Sequence, residues 1–173
     1  MSSTNERYDR QIRLWGLHGQ LLIEKTCVCV VGSDSVASEI IKNLVLVGIH
    51  SIYIIDDLLV TQKDIENNFF ISADSIGKER ATIIAENLQK LNSNSHITVI
   101  KQNIHEFLTH YSKSNSSYDF IVINKLFPSS SDSNILDSFE KDNYIYTYSI
   151  GLWGSISCHI LGIYILYNIK EAR

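Results

Sequence analysis

The sequence predicts an α/β fold: a doubly wound, mostly parallel, Rossmann-like sheet preceded by an N-terminal helical extension. Three observations predict it. Short runs rich in Val, Ile and Tyr alternate with segments of helical period along the chain. The run "FIVI" at residues 120–123 has no polar face, as expected for a strand at the buried centre of a parallel sheet. Beginning at Cys27, "CVCVVG" leads through a short loop into a helix, the strand–glycine–helix unit with which nucleotide-binding folds open.

The elements follow in order. Residues 6–20, "ERYDRQIRLWGLHGQ", read as an amphipathic helix in which Tyr8, Ile12 and Trp15 pack on the sheet. Their i, i+3 spacing puts Arg7, Arg10 and Arg13 along one ridge, which elementary physics reads as a solvated face. A strand is expected over 26–31. A helix follows with Ala37, Ile40, Ile41, Leu44 and Val45 on one face, stopping at Gly48. Residues 51–56 form the second strand, ending in an acidic pair. After a long loop, 78–91 repeats the helical pattern through Ala81, Ile84, Ala85, Leu88 and Leu91. A third strand over 96–101, a short helix over 104–111 and the fourth strand come next. A serine-rich loop opened by Pro128, a helix around 134–142 and a fifth strand, "YIYTYSI", complete the series. We divide the chain into a helical arm (1–25) and one domain (26–173) whose C-terminal end is expected to be incomplete, because the sequence stops directly after a strand-like run.

With 173 residues, 45% hydrophobic and 20% charged, the chain can bury one real core. A net charge of -4 provides no basic footprint for nucleic acid. No apolar signal-peptide core follows the start, so a cytoplasmic or nuclear protein is expected. The apolar stretch "ILGIYILYNI" is too short to span a bilayer, and its extension toward the N-terminus is interrupted by Ser155, Ser157 and His159; buried strands are expected instead of a membrane helix. Cys27 and Cys29 alternate toward one strand face, into the core. No metal-ligand spacing exists among the cysteines, so neither zinc nor a nucleophilic role for Cys158 is expected.

The loop after the first strand is where chemistry should sit, and it is defective. A phosphate-binding loop reads G-x-G-x-x-G so that bare backbone can approach the phosphates, but these three positions hold Gly32, Asp34 and Ala37. The order of "YDRQIRLWG", this strand and loop, "IIDD" at Ile54, "ENNFFIS" at Glu66 and "SIGKERA" at Ser75 resembles the adenylation fold of the ubiquitin-like-protein-activating enzymes, whose bacterial relatives are MoeB and ThiF. The resemblance runs from Tyr8 to about Gly154.

In that family, active members bind ATP–Mg, adenylate the C-terminal glycine of a modifier and pass it to a cysteine. The resemblance implies, position by position, that Gly32 is retained while Asp34 brings bulk and negative charge toward the phosphates. It makes Asp56 the ribose carboxylate and Lys78 the phosphate lysine. Asn67 is retained beside Asn68, which stands where an arginine should meet phosphate. Leu58 replaces a second acid, and Asn124 replaces the metal-binding aspartate. Gly32, Asp56, Asn67 and Lys78 are thus remnants of a degraded site, with no metal and no cofactor held by this chain.

What the resemblance leaves is a non-catalytic subunit that pairs with a catalytic adenylating subunit, serves a ubiquitin-like modifier, and completes the partner's ATP–Mg site. Arg10, the arginine of "YDRQ", would act there in trans. Phe69, Phe70 and Ile71, three consecutive apolar residues outside a regular element, are the expected partner surface. Two other readings compete. An autonomous MoeB-like adenylating enzyme is opposed by Asp34, Leu58, Asn68 and Asn124. A nicotinamide-dependent dehydrogenase using Gly32 and Asp56 is opposed by the missing glycine at position 34.

Overall fold

The computed structural model describes residues 6–111, 118–125, 139, 142–150 and 153–160, and the backbone course of 163–170. Helix α1 (Asp9–Lys25) leads into β1 (Cys27–Val31), α2 (Ser35–Val47) and β2 (Ser51–Ile55). A short α3 (Gln62–Asn67) and a 3-10 turn (Ala73–Ser75) interrupt the expected long loop before α4 (Arg80–Gln89), β3 (His96–Ile100), α5 (Ile104–Tyr111) and β4 (Phe120–Asn124). Then come β5 (Tyr144–Ile150), β6 (Trp153–Ile160) and β7 (Ile163–Lys170). The helix expected over 134–142 falls almost wholly outside the described residues.

The seven described strands form one sheet in the order β3-β2-β1-β4-β5-β6-β7. The first five run parallel, joined by crossovers, and the last two are antiparallel. Connection length decides this difference. Only two residues separate β5 from β6 and β6 from β7, enough for a hairpin and far too few for a crossover. The sheet is therefore mostly parallel, with an antiparallel edge formed by the strand-like ending of the sequence.

Strand alternation sorts the core into two layers. Val28, Val30, Ile52, Ile54 and Val122 face α2 and α4, meeting Ile41, Val45, Ile84 and Leu88. Cys29, Val31, Ile55, Ile121 and Ile123 face the other way, toward Phe107, Leu108 and Tyr111 of α5 and toward Phe139. Cys29 is fully buried and Cys27 half-buried, and burial pushes both thiols up from their ordinary range. Each fully buried Ile or Leu is worth about 1.5–3 kcal/mol, so this double layer holds the scaffold that positions the loops at the strand ends.

Helix α1 departs from its expected form. It continues to Lys25 and is broken at Gly16, where φ is 78°. The break turns residues 17–25 relative to the first half of the helix, whereas Tyr8, Ile12 and Trp15, which were expected to pack together, all precede it. Tyr8 is buried at 2% exposure and Ile12 half-buried, but Trp15 lies 38% exposed. No helix among the described residues is long and apolar enough to cross a membrane.

Candidate functional site

The crevice lies where the strand order reverses, between the C-terminal ends of β1 and β4, the place at which doubly wound sheets bind ligands. A cleft of about 640 Å³ opens beside it, lined among others by Asp34, Ser35, Thr61, Asn67, Asn68 and Arg80. Several of the residues that form it are bonded to one another.

Gly32 ends β1 at φ 103°, and a Cβ there would lie 2.9 Å from the backbone oxygen of Asn124. The glycine is required by backbone geometry and the close approach of β4, whatever the cleft contains. Two residues on, Asp34 is the N-cap of α2. Its Oδ1 accepts the Ala37 N–H at 3.0 Å and also a hydrogen bond from the Asn124 amide, so the two replaced positions are paired with each other. A helix N-terminus is an anion site because of its free N–H groups and its positive dipole end. Here the chain supplies its own anion, and Asn124 offers its amide to that carboxylate.

Asp56 is equally occupied. It is 2% exposed and accepts hydrogen bonds from the Ser33 hydroxyl, the Leu58 N–H at 2.9 Å, and Arg80 Nε and Nη2 at 3.2 and 2.6 Å. Arg80 reaches with Nη1 to Asp64 at 3.1 Å, bridging two carboxylates. Burial alone would raise the Asp64 pKa, but hydrogen bonds from the Thr61 hydroxyl and N–H and from Arg80 hold it below the usual carboxylate range. Burial works against the charge on Arg80, yet Asp56 and Asp64 raise its pKa and keep it ionised.

Asn68 is 4% exposed, with its amide donated to Ser38 Oγ at 2.8 Å and its Oδ1 accepting the Phe70 N–H. Asn67 is exposed and donates to the Lys63 carbonyl. Lys78 is exposed and is not part of the cleft wall. The basic side chains in the wall are Lys63 and Arg80, both of which the sequence reading passed over. The N-terminus of α2 is thus capped by Asp34, the Asp56 carboxylate is bonded by Ser33, Leu58 and Arg80, and the Asn68 amide turns inward to Ser38. Among the described residues no cluster of His, Cys, Asp or Glu is arranged to hold a metal ion.

The expected partner surface divides. The bond from Phe70 N–H to Asn68 Oδ1 turns the chain after α3, throwing Phe69 outward at 91% exposure. Phe70 is half-buried, and Ile71, at 6% exposure, belongs to the α2–α4 core and not to the surface. Phe69→Glu is expected to leave the thermal midpoint within a degree or two while weakening pairing with a partner at least ten-fold, measured by calorimetric titration; an equal loss of stability with unchanged pairing would make Phe69 structural.

The three arginines of the arm are also unequal. Arg7 donates to the Leu91 carbonyl at 3.0 Å, and Arg13 pairs with Asp9 at 2.9 Å. Arg10 is exposed and engages no group among the described residues. It lies two residues from Tyr8, which packs against Gly48 and Asn92 just before β2 and β3 begin. The chain's own cleft is at the opposite end of those strands, about 16 Å away for five residues. Arg10 is held at the wrong end of the sheet to serve it.

Comparison with known proteins agrees with this architecture. The profile of the ThiF family matches residues 8–125. The chain is 56% identical over 86 residues to the NEDD8-activating enzyme E1 regulatory subunit of Caenorhabditis elegans, covering 50% of this chain and 16% of that protein. It is 32% identical over 165 residues to the Nedd8-activating enzyme E1 regulatory subunit of Drosophila melanogaster, covering 92% of this chain and 31% of that protein. The chain thus spans less than a third of the length of either relative. Among solved structures, Escherichia coli MccB with AMPCPP and MccA superposes with a TM-score of 0.79 at 18% identity, covering 92% of this chain and 50% of MccB, a likeness of fold alone.

Proposed function

We propose, from the premise that this chain belongs to the ThiF family, that it is the non-catalytic regulatory subunit of a heterodimeric neddylation-activating enzyme. Its role is to complete the ATP–Mg site of a catalytic subunit that adenylates the C-terminal glycine of the modifier. The observation that carries this reading is the Asp34 carboxylate seated on the N-terminus of α2 and bonded to Asn124. A helix end already satisfied by an internal anion has no attraction left for a triphosphate.

Two features support pairing. Phe69 stands in solvent, and on the α2 side of the sheet an apolar groove of about 370 Å³ is left between Ile40, Leu44, Phe120, Ile145 and Ile156. Subunits that hold together permanently bury large apolar surfaces of this kind. The free Arg10 supplies what the partner's site would lack: a guanidinium is always charged and presents forked donors to phosphate oxygens.

Calorimetry with ATP tests the reading. ATP titrated into this chain alone should give no heat of binding, while the chain with its catalytic subunit should show one site per heterodimer. A low-micromolar site in the chain alone would overturn the proposal in favour of an autonomous adenylating enzyme.

A further inference from the structure

Helix α1 is not held along its length. A cavity of about 580 Å³ lies beneath it, bounded by Tyr8, Leu21, Lys25 and His50. Leu14, Leu17, Leu21 and Leu22 project into solvent. Besides the exposed Arg7–Leu91 bond and the half-buried Ile23, the arm is attached by two buried side chains, one on each side of the Gly16 break. On the near side, the Tyr8 hydroxyl accepts a hydrogen bond from Asn92 Nδ2 at 2.8 Å. Asn92 is 2% exposed, and its amide also donates to the Val45 carbonyl while its Oδ1 accepts the Asn94 N–H, so its bonding is complete. On the far side, Gln20 at 1% exposure donates to the Val47 carbonyl and accepts from the Trp15 indole.

Both attachments converge on one missing side chain. Gly48, the left-handed cap of α2 at φ 102°, carries Tyr8 and Gln20 directly over its Cα. A Cβ there would lie 2.8 Å from Tyr8 Cζ and 3.0 Å from Gln20 Nε2. Only glycine combines that backbone conformation with that proximity.

We propose that Gly48 and Asn92 are positioning residues for Arg10: they clasp the arm through Tyr8 and fix the point from which the free guanidinium projects. This rests on the in-trans reading of Arg10. Only Asp9 separates Tyr8 from Arg10, so rotation of the tyrosine about its seat becomes displacement of the guanidinium. A forked donor must be held within a fraction of an ångström to match phosphate oxygens, and a loose arm loses that register without losing the fold.

The test uses the heterodimer and two independent readouts. Tyr8→Phe removes only the hydroxyl and keeps the ring's packing. Losing this bond should speed amide hydrogen exchange at residues 12–15, the first with helical hydrogen bonds, roughly 2- to 10-fold while the second half of the helix, held by Gln20, stays protected. Asn92→Ala should do the same more strongly, and Gly48→Ala should release both halves. In ATP–pyrophosphate exchange, each should lower kcat with little change in the KM for ATP. Arg10→Ala combined with Tyr8→Phe should be no slower than Arg10→Ala alone, because both remove one function. Wild-type protection at 12–15 in Tyr8→Phe and Asn92→Ala, or a double variant slowed by the full product of the single effects, overturns the proposal. Failure of the in-trans reading is seen separately, as a wild-type rate for Arg10→Ala in an arm whose protection still depends on Asn92.

Discussion

Arg10→Ala is expected to form the heterodimer at wild-type affinity and to slow ATP–pyrophosphate exchange by the catalytic subunit on the order of 10²-fold, the loss that follows removal of one preorganised donor from developing charge. Arg10 engages no group among the described residues, so neither stability nor pairing should move. Arg10→Lys should recover part of the rate, because an ammonium restores the charge without the planar fork. Arg7 and Arg13 are the controls within the same ridge. Their guanidiniums are committed to the Leu91 carbonyl and to Asp9, and their alanine variants should exchange pyrophosphate within two-fold of wild type. A wild-type rate for Arg10→Ala at saturating ATP and partner would reduce Arg10 to a solvated helix residue.

Arg80→Met is expected to lower the unfolding free energy by about 3–5 kcal/mol, measured by urea denaturation, because it leaves Asp56 charged and buried with its cation removed. The neutral hydrogen bonds from Ser33 and Leu58 remain but cannot replace an opposite charge. Replacing the pair together, Asp56→Asn with Arg80→Met, should recover most of the loss, since a buried ion pair contributes little beyond the cost of desolvating it. The pH dependence follows from Asp64, whose folded pKa is depressed. Its stabilisation is present above the unfolded carboxylate range, near pH 4, and is lost as pH falls through the lowered folded value. Arg80→Met removes one of the bonds that depress it, so stability should fall less steeply with acid in that window. An unchanged acid slope would mean that Thr61 alone sets the Asp64 proton affinity.

Much of this architecture is legible from the order of residues because it depends on periods. The two-residue alternation of β1 and β2 and the helical spacing from Ala37 to Val45 locate both core layers directly. Positions governed by a single backbone torsion are not legible in that way. Gly16 lies within an otherwise regular helical pattern, yet its φ of 78° turns residues 17–25 relative to the half that carries Tyr8. The turn at Asn68 likewise separates Phe69 from Ile71, which a run of three apolar residues cannot foretell. Arg80 did leave a signal. It precedes Ile84 by four residues and so lies on the buried face of α4, where a cation requires a carboxylate, whereas Lys78 precedes the helix. Asp34 was visible as a misfit; that it would cap α2 and bond the equally misfit Asn124 required the closure of β1 against β4.

That closure has a kinetic side. The β5–β6–β7 meander pairs neighbours across two-residue connections, and such hairpins form in about 1–10 μs. Joining β1 to β4 brings together residues as far apart as Cys27 and Asp119, 92 positions along the chain, and must first overcome the entropy of closing that loop. The sheet should therefore assemble as two pieces whose seam is the β1–β4 junction. The junction's upper end is the Asp34–Asn124 contact, so the plugged crevice is also the last part of the domain to become native, and a fluorescent pair placed across it would time the final step of folding.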